Sequence, residues 1–262
     1  MQSLTHILQS LNKVTDSASP HVGMVITPEG LELKASTDGI TAFARLRADC
    51  FSSFHVSSKA HDKIAMELHP RVLLEALRSA DKAVQTELAL TMKQGIKCIT
   101  VTTESPNSIV VIQDAPIPKL LREEEMDALR EPAIQAPRVQ LVLPDARKLK
   151  SVLERIKAHD KFVKVRGSDQ GTLILKVNNE MLQTRTCFEA AVLGTPSGRE
   201  VTASASVRDL LVVTASLAVK SHRALLGMTD GFSIVVNVQL DDEDLLSLVY
   251  LLPTTEVPDD EF

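Results

Sequence analysis

The chain has no tryptophan and a single tyrosine, and its aromatic content is only 3%. The core of this 262-residue protein must therefore be aliphatic, and stacking on unpaired nucleobases has few side chains to use. The three cysteines, Cys50, Cys98 and Cys187, stand far apart with no C-x-x-C spacing. That spacing argues against a disulfide framework or a cysteine zinc site and fits a reducing compartment. It marks the thiols as small buried or half-buried apolar residues. No apolar run is long enough to cross a bilayer, and the start, Met1-Gln-Ser-Leu-Thr-His6, lacks the basic and apolar regions of a secretory leader. Catalytic signatures are missing as well: there is no Walker loop, GxGxxG, GxSxG or HExxH. His55 and His61 read as turn or surface residues. The acidic runs Glu123–Glu125, Asp241–Asp244 and Asp259–Glu261 read as a solvated linker, a hairpin turn and a loose tail. No cofactor and no metal is called for, and nothing assembles nucleophile, base and orienter. These absences leave a binding protein, not an enzyme.

What is present is a pattern that occurs twice. Leu4, Ile7, Leu8, Leu11 and Val14 recur at helical spacing. Strand-like runs follow at residues 21–27, 31–36, 41–47, 50–56 and 62–68, punctuated by Pro28-Glu-Gly30 and Thr37-Asp-Gly39. A second helix starts at Pro70, with Val72, Leu73, Ala76, Leu77 and Ala80 on its apolar face, and strands follow at 84–91, 96–103 and 108–112. The second half begins with a strand at 138–143 and a helix carrying Leu149, Val152, Leu153 and Ile156. Strands at 162–166, 172–177, 181–189 and 200–205 lead to a helix with Val207, Leu210, Leu211, Thr214, Leu217 and Ala218. Strands at 222–228, 232–239 and 245–252 finish it. The second helices share letters, Arg71-Val-Leu-Leu74 against Arg208-Asp-Leu-Leu211. The order helix, strands, helix, three strands predicts a duplicated α+β domain. Between the halves lies a linker bracketed by Pro116 and Pro118 at one end and Pro132 and Pro137 at the other. The expected domains are 1–114 and 138–253, with a linker at 115–137 and an acidic tail at 254–262.

The formal net charge is −5, yet the four helical segments 3–16, 70–82, 144–161 and 206–223 together carry +6, leaving −11 elsewhere. Placed at 100° per residue, Lys13 faces outward on the first helix, and Arg71, Arg78 and Lys82 lie opposite the apolar face of the second. On the third, Arg147 lies opposite the core, with Lys150 and Lys157 on one shoulder and Lys148 and Arg155 on the other. On the fourth, Lys220 faces outward and Arg208 sits on the shoulder. Any one such helix reads plainly as a solvated face. All four together, in an otherwise acidic chain, predict phosphate contact without base readout.

The linker and the early part of the second half resemble the DNA sliding clamps, and among them the Hus-one subunits of the heterotrimeric checkpoint clamp, the nine-one-one complex. The resemblance is carried by Gln113-Asp-Ala-Pro-Ile-Pro118, Leu129-Arg-Glu-Pro132, Val139-Gln-Leu-Val-Leu-Pro144, Leu149-Lys-Ser-Val-Leu-Glu-Arg-Ile-Lys157 and Gly171-Thr-Leu-Ile-Leu-Lys-Val177. Tyr250-Leu-Leu-Pro253 is similar to a closing strand of clamps in general. The resemblance implies two processivity-fold domains, each with two helices packed on antiparallel sheets. It also implies a ring with two other checkpoint-clamp subunits around duplex DNA, helices inward. A clamp loader, checkpoint and repair partners and a nuclear location come with it, without enzymatic activity. It places a partner-peptide groove at Ile40, Leu120, Leu121, Tyr250 and Pro253. Clamp domains usually open with a strand before the first helix, and this chain starts almost directly on the helix. A homotrimeric replicative clamp and an enzyme with an unrecognised site are the alternatives.

Overall fold

The computed structural model describes residues 2–15, 20–58, 61–178, 183–193, 197–217, 223–229, 233–240 and 245–256. Two compact units emerge, one made of Met1–Thr37 and Phe43–Glu131, the other of Asp38–Ala42 and Pro132–Phe262.

The first unit opens on α1 (Gln2–Val14), whose residues Leu4, Ile7, Leu8, Leu11 and Val14 are all buried, as their spacing predicts. Next come β1 (Val22–Thr27), β2 (Gly30–Ser36), β3 (Thr41–Arg47) and β4 (Ile64–Leu68). The helix α2 (Pro70–Leu77) runs into a 3-10 turn, and β5 (Gln85–Lys93), β6 (Ile96–Glu104) and β7 (Val110–Pro116) follow. The connector contributes β8 (Lys119–Leu120) and α3 (Glu123–Met126). Strands order as β8-β4-β1-β2-β3 and as β5-β6-β7. Alternation puts Met24, Leu33 and Met66 on a buried face of the first sheet, and Ile99, Val101 and Ala115 on a buried face of the second.

The second unit repeats the order with one strand added: β9 (Val139–Val142), α4 (Ala146–Lys157), β10 (Phe162–Ser168), β11 (Thr172–Asn178), β12 (Gln183–Glu189), β13 (Glu200–Ser206), α5 (Val207–Leu217), β14 (Arg223–Met228), β15 (Ser233–Gln239), β16 (Leu246–Pro253) and β17 (Thr255–Glu256). Its sheets order as β16-β15-β14-β9 and β12-β11-β10-β13-β17. Leu149, Leu153, Leu210 and Val213 of the helices meet Val165, Leu173 and Leu175 of one sheet and Leu226, Ile234 and Val236 of the other. Each half of the duplicated grammar is thus a pair of helices closed over two antiparallel sheets.

Several local expectations are corrected. Residues 50–56 form no strand. A 3-10 turn at Ala48–Cys50 ends the preceding hairpin, and Phe51 and Phe54 spend their apolar surface on each other, with ring centroids 5.2 Å apart. The strand expected at 108–112 starts at Val110, because Ser108 has φ 57° and residues 105–109 close a turn. It continues through Gln113–Pro116, at the mouth of the expected linker. Val72 is 39% exposed and leaves the apolar face to Pro70, Leu73, Ala76 and Leu77. In α5 the core position expected for Leu211 belongs to Val213, and Ala218 lies outside the described residues. Thr255 and Glu256, assigned to the tail, pair with Ser204 and Ala203. Cys98 is buried and Cys50 half-buried, but Cys187 is exposed on the outward side of β12. No strand precedes α1 among the described residues, whereas β9 precedes α4 and pairs with β14.

Candidate nucleic-acid interface and partner groove

Helix geometry decides where the bases go, and the observed helix ends redistribute them. The helix α4 carries Arg147, Lys148, Lys150, Arg155 and Lys157 against Glu154 alone, and all five basic residues are exposed. Asp145 starts the helix by accepting the backbone N–H groups of Arg147 and Lys148, both at 3.0 Å. This N-cap satisfies two otherwise unpaired donors. Leu149, Leu153 and Ile156 anchor the opposite side. The basic face is thereby fixed in orientation by the apolar one.

The other helices contribute less than their segments suggested. Lys13 and Arg71 are exposed on α1 and α2. Arg78 and Lys82 are exposed too, but they sit on the 3-10 turn Arg78–Lys82, where a period of three replaces 3.6. Arg78 also donates to Glu75 at 2.8 Å, and Lys150 lies 3.6 Å from Glu154. Such exposed pairs are weak, but they offset part of each positive charge locally. Arg208 is exposed on α5, next to the buried Asp209. Lys220 lies outside the described residues, and Arg223, counted with that helix, belongs to β14. Among the described residues the exposed positive charge of the helices is therefore concentrated on α4.

The expected groove residues fall into separate settings. In the first unit Leu120 is 38% exposed and pairs with Met66, while the Leu121 N–H donates to the Ala65 carbonyl at 2.8 Å, so this stretch of connector extends the sheet. In the second unit Ile40 and Tyr250 are buried at 3% and 0% exposure and offer no side chain to a peptide. Pro253 is exposed and stands opposite Ser233. Ser233 lines a cavity of about 280 Å³ with Pro132, Ala133, Ile134, Gln135, Thr229 and Leu251. The Thr229 hydroxyl donates to the Ser233 carbonyl at 3.2 Å and accepts the Ser233 N–H at the same distance. Sequence reasoning missed this site. Its one signal was Ile134, an apolar residue isolated between two linker prolines.

The acidic run of the connector is solvated, as expected, with Glu123 and Glu124 exposed, and it forms the short helix α3. Glu125 accepts the Arg122 N–H at 2.8 Å and the Lys119 ammonium at 2.5 Å, and those two bonds, the backbone one foremost, hold its carboxyl below the ordinary glutamate range. Among the described residues no group of three or more His, Cys, Asp or Glu side chains is arranged to hold a metal ion. Among the same residues no helix is long and apolar enough to cross a membrane.

Residues 1–197 match the family model described as "Hus1-like protein". The chain belongs to the Hus1-like family. It is 29% identical over 249 residues to the human protein named "Checkpoint protein HUS1", covering 87% of each chain. It is 27% identical over 161 residues to "Checkpoint protein hus1 homolog" of Dictyostelium discoideum, covering 59% of this chain and 58% of that one. The fold is that of a sliding clamp. The crystal structure of Proliferating Cellular Nuclear Antigen from Entamoeba histolytica superposes with a TM-score of 0.75 at 14% identity, covering 97% of this chain and 95% of the other.

Proposed function

We propose that this Hus1-like protein is a non-enzymatic subunit of a heterotrimeric ring clamp, the nine-one-one complex, which encircles duplex DNA and tethers checkpoint and repair proteins to it. The observation that carries the reading is the exposed basic face of α4, fixed by its buried side, within a clamp fold whose net charge is otherwise negative. Duplex phosphates are the partner such a face suits, without sequence preference. Two other checkpoint-clamp subunits complete the ring, an ATP-driven loader opens it, and the assembly works in the nucleus. Edge strands support assembly: β7 and β12 each end a sheet with one side unpaired among the described residues. An unpaired strand edge is a template for another chain. Pro253 and the cavity beside it are the proposed partner-peptide site, with Leu120 and Leu121 securing the connector.

A homotrimeric clamp is the rival, and it requires edges that complement each other within one sequence. Native mass measurement separates the two. The expected result is no closed trimer of the chain alone and a complex of one copy each with two other checkpoint-clamp subunits. A stable homotrimer at micromolar concentration would overturn the heterotrimer.

A further inference from the structure

Phenylalanine and tyrosine are scarce in this chain, and nearly all that are described serve its own packing. Phe43 and Tyr250 are buried, and Phe51, Phe54 and Phe188 are half-buried. Phe162 is the exception. It is 58% exposed, the one exposed Phe or Tyr among the described residues. A single apolar residue at a surface is ordinary; what sets Phe162 apart is where it stands and how firmly its backbone is held.

Phe162 follows directly on the end of the basic helix α4. The His159 and Asp160 N–H groups both donate to the Ile156 carbonyl, at 2.8 and 2.9 Å, and close the helix. The Asp160 side chain then accepts the Phe162 N–H at 3.0 Å. The Lys161 carbonyl accepts the Val207 N–H at 2.9 Å, which ties the turn to the start of α5. Strand β10 begins at Phe162, and alternation with the buried Val163 and Val165 turns the ring to the face away from the core. A ring on a backbone fixed in this way loses little freedom when a ligand stacks on it. Cationic side chains lead up to it: Arg155 and Lys157 in the last turn of α4, and Lys161 beside the ring, all exposed, against Asp160 alone. Cations that follow phosphates toward an aromatic ring that stacks a base are the elements of a single-strand site.

Stiffness decides which nucleic acid reaches this ring. Duplex DNA has a persistence length of about 150 bp, so a duplex held at α4 continues straight past the helix end. A single strand can turn there, pass Lys157 and Lys161, and lay a base on Phe162 on the other face of the sheet. We propose that Phe162, with Lys157 and Lys161, binds an unpaired nucleotide of a strand leaving the duplex, so that this subunit holds a junction of double- and single-stranded DNA. The proposal rests on the phosphate-binding reading of α4 and adds a preference for DNA structure, not for sequence, since every base offers a face to stack.

The test uses the ring assembled with two other checkpoint-clamp subunits and two DNA probes. One is a blunt duplex. The other is the same duplex with a single-stranded overhang, of either polarity, in which 5-iododeoxyuridine replaces one thymidine at a time. Irradiated iodouracil joins to an aromatic ring stacked on it, and peptide mass mapping locates the bond. The expected adduct is on Phe162, from one of the first few unpaired positions and from no paired one. Phe162→Ala and Phe162→Leu should each weaken the overhang probe about tenfold, the worth of one base–aromatic stack, and leave the blunt duplex unchanged. Phe162→Tyr keeps a ring and should keep the affinity. Full overhang affinity in the Ala or Leu variant, adducts only at other residues, or equal losses on both probes would overturn the proposal. So would a Phe162→Ala ring that keeps its DNA affinity but sheds a subunit, which would assign the residue to a protein contact. The blunt duplex reports separately on α4. A ring that holds it and is indifferent to Phe162 keeps the phosphate reading and overturns the junction site; a ring that holds neither probe overturns both.

Discussion

Asp169 shows how one carboxylate fixes a loop. Its side chain accepts the Ser197 hydroxyl at 2.7 Å, the Ser197 N–H at 2.8 Å and the Gly198 N–H at 3.0 Å. The Ser197 hydroxyl foremost, then the backbone donors, hold the Asp169 carboxyl below the ordinary aspartate range. A depressed acid contributes stability above its unfolded pKa and loses it as the pH falls through its folded one. Asp169→Asn should therefore lower the urea midpoint at neutral pH, and the gap from wild type should close in acid, below the ordinary aspartate range. Urea titrations across that range check this, and a gap that stays constant with pH would refute it. At the same scale, Ile134 is the apolar wall of the cavity beside Pro253. Ile134→Ala should weaken a repair partner's peptide about tenfold, the loss of one buried side chain at roughly 1.5 kcal/mol. A peptide titration on the assembled ring, with melting as the control, tests it; lowered melting with unchanged affinity would make Ile134 structural only.

Elements show what a sequence can and cannot disclose. The helices α1, α4 and α5 and nearly all strands lie where periodicity places them, because each buries one face and the other is solvated. The connector is different. Its prolines mark a linker, but its fixing to the first unit depends on residues far apart in sequence. Gly23 lacks a side chain where the Leu129 methyl groups sit, and Lys34 donates to the Ala128 carbonyl at 2.7 Å. Nothing local to Gly23 or Leu129 announces that pairing. Residues 50–56 depart for the opposite reason: Cys50, Phe51, Phe54 and Val56 supply apolar residues for a strand, but no neighbouring strand receives them. The Gly23–Leu129 contact predicts that Gly23→Val will push the connector off the sheet. Overpacking of this kind costs about 1–3 kcal/mol. Amide exchange across residues 123–131 should accelerate while that of α4 stays unchanged. Unaltered exchange in the connector would show that Leu129 does not hold it.

At the scale of the whole molecule, charge placement is what the sequence discloses best in sign and least well in position. The helical excess is legible, and largest in the segment that becomes α4, but a segment drawn too long credits α5 with Arg223. The consequence for DNA is asymmetric. Reversing Arg147, Lys148 and Arg155 to Glu should release the assembled ring from circular duplex, whereas Arg78→Glu, whose positive charge Glu75 already offsets, should do little. Every phosphate that a side chain no longer neutralises flattens the dependence of log affinity on log salt by about 0.9, so the triple reversal should reduce that slope by nearly three. Assembly should survive, because the three side chains are exposed and the buried face of α4 is untouched. Linearised DNA is the control, since a ring held only by topology slides off free ends. Equal loss in the Arg78 variant would place the DNA against the first unit's helices as much as against α4. Failure of the triple variant to assemble would mean that α4 faces a neighbouring subunit rather than the duplex.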